Sequence, residues 1–189
     1  MLKQYLLSIL LSVTLFSPAF ADDLNPVVVM TTNAGVIELE LMPEQAPLTV
    51  ANFLRYVDSG FFTDTIFHRV IDNFMIQGGG FSADLERKDT LPPVRNESAN
   101  GLPNMRGTIA MARTNDPHSA TSQFFINLKN NDFLNANGPR PGYAVFGKVI
   151  NGMDVITQIG HVQTGRQGPY SDVPVEPIVI QSVVLKNNH

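Results

Sequence analysis

The chain has 189 residues, with 17 acidic side chains against 13 lysines and arginines and a formal net charge of −4 at pH 7. This balance argues against a phosphate-backbone binder, so no nucleic-acid partner is expected. There are no cysteines, which excludes disulfide and thiol chemistry, and His68, His118, His161 and His189 lack metal-ligand spacing, so no metal or cofactor is expected.

The chain opens on a targeting signal. Lys3 supplies the positive end, residues 6–16 form an apolar run too short to span a bilayer, and Ala19-Phe20-Ala21 fits a cleavage site. Cleavage after Ala21 leaves residues 22–189 as one domain with a sizeable core. The short leader with a single cation is of bacterial type. The expected compartment is therefore the periplasm, with no membrane attachment after cleavage.

Strands follow. Residues 27–30 are branched and apolar. After the Asn33-Ala34-Gly35 turn, residues 36–41 alternate, with Ile37, Leu39 and Leu41 facing in and Glu38 and Glu40 facing out. Further strands are predicted over 65–70, 74–77, 108–111, 123–128, 144–150 and 178–185, eight in all. Pro47 suits the first turn of a helix that buries Val50, Phe53, Leu54 and Val57 and ends before Gly60. A second helix is predicted over 153–159, stopped by Gly160. The fold class is mainly β: an eight-stranded closed antiparallel barrel capped by two helices. Residues 82–107 and 129–143 are long irregular stretches, of a length that is usually functional or mobile.

One stretch concentrates unusual chemistry: FHRVIDNFMIQGGGF, over 67–81. Strand alternation puts Phe67, Arg69 and Ile71 on one face, and Met75 and Gln77 on one face of the return. A tight connection at Asp72-Asn73 then sets Arg69 beside Gln77 over an apolar floor. The bland alternative is a surface arginine lying along apolar neighbours. His68 points to the other face and reads as a structural hydrogen-bonder. No lysine or helix follows the glycines at 78–80, so they read as a tight turn rather than a phosphate cradle. Read by themselves, Met75 and Phe125 are core residues. Ser119, Ser122 and His118 lack the elbow of a serine hydrolase.

Four segments, FHRVIDNFMIQGGGF (67–81), RGTIAMAR (106–113), SQFFI (122–126) and YAVFGKV (143–149), together resemble the cyclophilin-type peptidyl-prolyl cis-trans isomerases. The resemblance runs from about Val28 to about Leu185, and with the leader it looks like a bacterial periplasmic cyclophilin. It implies a substrate groove on the barrel's outer surface, with Arg69, Gln77 and Phe74 as the catalytic group and Gln77 hydrogen-bonding beside the arginine. It implies a proline pocket walled by Phe74, Met75, Phe125 and Leu134, with Ile71 and Tyr143 beside it. Substrate backbone is expected along Ala112, Arg113 and Thr114, next to Gln123. The expected partners are proline-containing unfolded or folding polypeptides, and the protein is expected to be a monomer. A chaperone-like binder of such segments, without turnover, is the alternative.

Three departures from the family's pattern matter. Phe133 stands where tryptophan is frequent, which removes an indole N–H and implies weak cyclosporin binding. Tyr143 stands where histidine is frequent and keeps an aromatic wall with a polar tip. Residues 82–93 lack the glycines common in that loop.

Overall fold

A computed structural model of the chain describes residues 25–186. The leader over 1–21 and its cleavage site lie outside the described residues. None of the described helices is long and apolar enough to cross a membrane.

β1 (Val27–Thr32) and β2 (Gly35–Leu41) form a hairpin in which Val27 faces Glu40 and Thr32 faces Gly35. The Thr32 hydroxyl closes the turn, donating to the Gly35 carbonyl at 2.8 Å and accepting from the Ala34 N–H at 3.1 Å. The predicted alternation holds, with Ile37, Leu39 and Leu41 fully buried. Glu38 and Glu40 lie on the other face, where Lys186 and Lys148 pair with them at 2.9 Å and 3.4 Å.

The remaining barrel strands are β3 (Thr65–Ile71), β4 (Met75–Ser82), β5 (Thr108–Met111), β6 (Phe124–Asn127), β7 (Val145–Asn151) and, past the hairpin β8 (Thr164–Gln167) and β9 (Tyr170–Pro174), β10 (Val179–Leu185). They close in the order β1-β10-β3-β4-β6-β5-β7-β2, every neighbour antiparallel. The barrel strands number eight as predicted. The β8–β9 hairpin was not foreseen and packs against β3.

Two helices join the barrel core, α1 (Pro47–Asp58) and α2 (Met153–Gly160). From α1, Phe53 meets Phe62, Phe124 and Phe146 at ring-centre distances of 5.1, 5.9 and 5.2 Å. Leu54 is only partly buried, and Tyr56 takes its predicted place in the stripe. No side chain of its own caps α1. Instead Glu97, far along the chain, accepts from the Leu48 and Thr49 N–H groups at 3.1 and 2.8 Å, filling orphan donors of the first turn. The irregular stretch before β5 is thereby tied to the barrel.

The glycines at 78–80 correct an expectation. They lie inside β4 and form no tight turn. Gly79 has φ of +79°, and a Cβ there would meet the Phe124 ring at 2.7 Å. A Cβ on Gly80 would meet the Gln123 side chain at 2.4 Å. The strand passes so close to an interior ring and an exterior amide that side chains have no room.

A second correction concerns β3. Its pairing with β4 steps from Phe67–Gly78 to Arg69–Gln77, two residues against one, so a bulge sits at His68. Phe67 therefore turns into the core, while Arg69 lies outside. The two do not share a face as simple alternation predicts.

Candidate active site

The site begins as one transverse row on the outer face of the barrel. Arg69 on β3 faces Gln77 on β4, Gln77 faces Phe125 on β6, Phe125 faces Ala110 on β5, and Ala110 faces Val145 on β7. Directly opposed side chains in antiparallel pairs sit about 5 Å apart, so the row is continuous. Met75 lies one step along β4, opposite Asn127. Met75, Ala110, Phe125, Leu134 and Val145 form a second buried apolar cluster, separate from the barrel interior. Phe124 and Phe125, adjacent in sequence, thus serve opposite faces.

Loops build the walls on this floor. The short 3-10 turn Asp132–Leu134 delivers Leu134 into the cluster and leaves Phe133 60 % exposed. Phe133 stacks on Phe74 at 5.7 Å with 25° between the ring planes. Tyr143 stands edge-on to Phe125 at 5.6 Å, and the Arg113 guanidinium lies 4.5 Å from the Tyr143 ring centre. Arg113 also donates to the carbonyls of Thr114, Pro141 and Gly142, at 2.9, 3.1 and 3.2 Å.

The result is an open cavity of about 300 Å³. Its apolar lining is Phe74, Met75, Ala112, Phe125, Leu134 and Tyr143, and its polar lining is Arg69, Gln77 and Arg113. Thr114 and Gln123 line an adjoining cavity of about 230 Å³, and Phe133 a third of about 270 Å³. Ile71 lines none of the three and packs against the outer apolar cluster from the side. The catalytic and substrate-binding residues that the resemblance implies therefore lie in one region, divided among a central cavity, two flanking ones and one supporting position.

The polar contacts differ from expectation at two residues. The Gln77 amide donates to the Gln123 side chain at 3.0 Å, and no hydrogen bond joins it to Arg69 among the described residues. The charged partner of Arg69 is Asp172 on β9, with Nε and Oδ2 3.7 Å apart; the arginine side chain is 42 % exposed. His68 is buried beside Phe81 with its Nδ1 unpartnered. Burial, with Arg69 and Arg87 nearby, lowers its pKa to about 4, so the ring is neutral at pH 7.

A buried chain of asparagines underlies the walls. Asn131 donates to Asn127 at 2.7 Å, Asn127 to Asn104 at 3.2 Å, and Asn104 to Asn135 at 3.1 Å. From this chain Asn131 donates to the Phe74 carbonyl at 3.0 Å and Asn104 to the Tyr143 carbonyl at 3.3 Å. Two walls of the cavity are thus hung from one net. Neither this net nor Asp172 was foreseen. The only signal in the sequence was the density of asparagine over 127–137.

Known proteins resemble this chain over most of its length. The model of the family described as cyclophilin type peptidyl-prolyl cis-trans isomerase matches residues 27–185. A protein of Dickeya dadantii named peptidyl-prolyl cis-trans isomerase A is 58 % identical over 93 % of this chain and 92 % of its own length. Peptidyl-prolyl cis-trans isomerase B of Escherichia coli is 54 % identical over 82 % of this chain and 96 % of its own. Among solved structures, a cyclophilin-type isomerase of Cryptosporidium parvum, crystallised in the presence of the dipeptide Ala-Pro, superposes with a TM-score of 0.72. It is 30 % identical and covers 86 % of this chain and 99 % of its own.

Proposed function

The chain belongs to the cyclophilin-type peptidyl-prolyl cis-trans isomerases, and from that premise we propose how its outer-face groove turns an Xaa-Pro bond. Rotation about such a bond breaks amide resonance, against a barrier of about 18–20 kcal/mol. Uncatalysed exchange takes tens to hundreds of seconds. No nucleophile is required. In the twisted amide the proline nitrogen regains its lone pair and the group loses its resonance dipole. An apolar pocket therefore penalises the twisted form less than the planar one. A cation beside the nitrogen donates a hydrogen bond that exists only in that form, which is binding selective for the transition state.

In this reading Phe74, Met75, Phe125, Leu134 and Tyr143 hold the proline ring, and Arg69 donates to the nitrogen. Gln77 and Gln123, joined to each other, present amide groups to the substrate backbone beside the Ala112-Arg113-Thr114 rim. The observation that carries it is the row itself: the one guanidinium on the strand floor of the cavity stands one pair from Gln77 and two from Phe125. Arg69 does not suffice alone. A millionfold acceleration needs about 8 kcal/mol, and a hydrogen bond to a charged group contributes about 1.5–3 kcal/mol. The rest comes from the water-poor pocket and from clamping one side of the bond while the other turns.

The leader places the enzyme, in this proposal, in the periplasm as a monomer acting on folding exported proteins. Phe133, without an indole N–H, makes cyclosporin binding weak. The test is NMR exchange on a short Xaa-Pro peptide with catalytic amounts of protein, wild type beside Arg69→Ala. Wild type is expected to speed exchange, and the variant to lose one to two orders of magnitude with its fold intact. Binding of the peptide without faster exchange would replace the enzymatic reading with that of a holder of proline segments. Full activity in Arg69→Ala would remove the arginine from the mechanism.

A further inference from the structure

The three cavities of the groove are continuous. The central one shares Gln77, Ala112 and Arg113 with the first flanking cavity, and Arg113, Leu134 and Tyr143 with the second. Each is lined by two arginines: Arg69 and Arg113 in the centre, Arg87 and Arg113 on one side, Arg113 and Arg140 on the other. No aspartate or glutamate lines any of them. The chain as a whole has 17 acidic against 13 basic side chains, so this concentration does not follow from composition.

Arg69 pairs with Asp172, and the other three arginines are held by neutral groups. Arg87 lies over the Phe81 ring at 5.2 Å, Arg113 over Tyr143 at 4.5 Å, and Arg140 donates to the Phe133 carbonyl at 3.0 Å. Among the described residues none of these three forms a salt bridge. Rings and carbonyls orient a guanidinium but leave its charge in place. Asp172 sits beside Arg69, and Asp116 is engaged locally, its Oδ1 accepting from the His118 N–H at 2.9 Å. A cleft lined by one sign of charge focuses the field within it.

Resting on the isomerase reading above, we propose that the preferred substrates are proline-containing segments with aspartate or glutamate flanking the proline. With the proline ring in the central cavity, the extended chain on either side runs into a flanking cavity that offers an exposed guanidinium, Arg87 or Arg140. The guanidinium fork matches a carboxylate in two-point geometry. A lysine at the same position meets like charge.

The experiment uses three peptides with the same Ala-Pro core and with Gln, Glu or Lys on both sides, assayed by NMR exchange with the full mature chain. The Gln peptide tests the isomerase reading by itself. If it is not turned over, that reading fails, and this one with it. Given turnover, the Glu peptide is expected to exceed the Lys peptide in kcat/KM by about tenfold at low salt, as two exposed pairs each contribute a few-fold. The ratio is expected to approach unity as salt shortens the Debye length below about 10 Å. In the double variant Arg87→Gln and Arg140→Gln the ratio is expected to fall to about threefold or less, with the melting temperature reporting that the barrel is folded. Equal rates for Glu and Lys peptides overturn the proposal, as does a ratio that survives both salt and the double variant.

Discussion

The two faces of the β3-β4-β6-β5 sheet are made from the same strands and held by different physics. The inner face is largely apolar: Val70, Ile76, Ile109, Phe124 and Ile126 are at most 2 % exposed and belong to one core cluster with Val50, Phe53, Tyr56 and Val57 of α1. Shape and area hold it. The outer face carries Arg69, Gln77, Phe125 and Ala110 under walls that no strand supplies. Those walls need polar anchors, because loop backbone left next to an apolar floor must find partners for its N–H and C=O groups. The inner face is therefore a matter of volume and the outer face a matter of position.

The sharpest test of that division is the adjacent pair Phe124 and Phe125. Phe124 is fully buried among Phe53, Phe62 and Phe67. Phe124→Ala is expected to cost about 3–5 kcal/mol by chemical denaturation. Phe125→Ala opens onto the groove, so its cavity is reachable by water. It is expected to cost less stability and to remove most turnover. Equal stability losses with equal activity would erase the distinction between the faces.

His68 tests where the boundary between the faces runs. It sits at the bulge, buried, with its Nδ1 unpartnered and its pKa lowered to about 4 by burial first and by Arg69 and Arg87 next. The unfolded chain binds the proton near pH 6.5 and the folded one only near pH 4. Stability from this group is therefore complete above about pH 6.5 and is lost as pH falls to about 4, a change on the order of 3 kcal/mol. Denaturant midpoints across that range should fall for wild type. They should stay flatter for His68→Gln. Matching slopes would mean that other groups set the acid limit.

A smaller effect is expected from the net beneath the walls. Asn127 is fully buried and bonds Asn104, Asn131 and Thr108. Asn127→Ala strands their polar groups and should cost about 1–3 kcal/mol. Because Phe74 and Tyr143 hang from the same net, KM for a proline peptide should rise more than kcat falls. A stability loss with unchanged KM would reduce the asparagines to scaffolding.

Period-two alternation made the floor legible. It was enough to set Arg69 opposite Gln77, and Ile37, Leu39 and Leu41 inward. It failed where pairing depends on a partner strand. The His68 bulge carries no local signal, since the extra residue exists only against Gly78 and Gln77. The glycines at 78–80 were misread for the same reason, because the rings and amide that exclude a Cβ come from distant residues. The β8–β9 hairpin was missed because most of its residues are polar and little of it is buried, which leaves no periodic apolar face to detect. Asparagine in loops ordinarily signals turns. Nothing local distinguishes Asn104, Asn127 and Asn131 as a connected set.

That missed hairpin supplies the last and smallest test. Asp172 sits in the left-handed region with φ of 61° and faces Arg69 across 3.7 Å. Aspartate and asparagine both tolerate that backbone conformation, so Asp172→Asn removes charge without adding strain. Both partners are well exposed, so stability should change by less than about 1 kcal/mol. The expected consequence is on aim: without the carboxylate the guanidinium samples more orientations, and kcat/KM for a neutral peptide should fall about two- to fivefold at low salt. Added salt should bring wild type down toward the variant, because the pair it loses is already screened. A purely structural role would leave that salt dependence the same in both proteins. A variant as active as wild type at every salt concentration would show that the β-floor alone aims Arg69, and that the outer face needs its loops for the pocket but not for the cation.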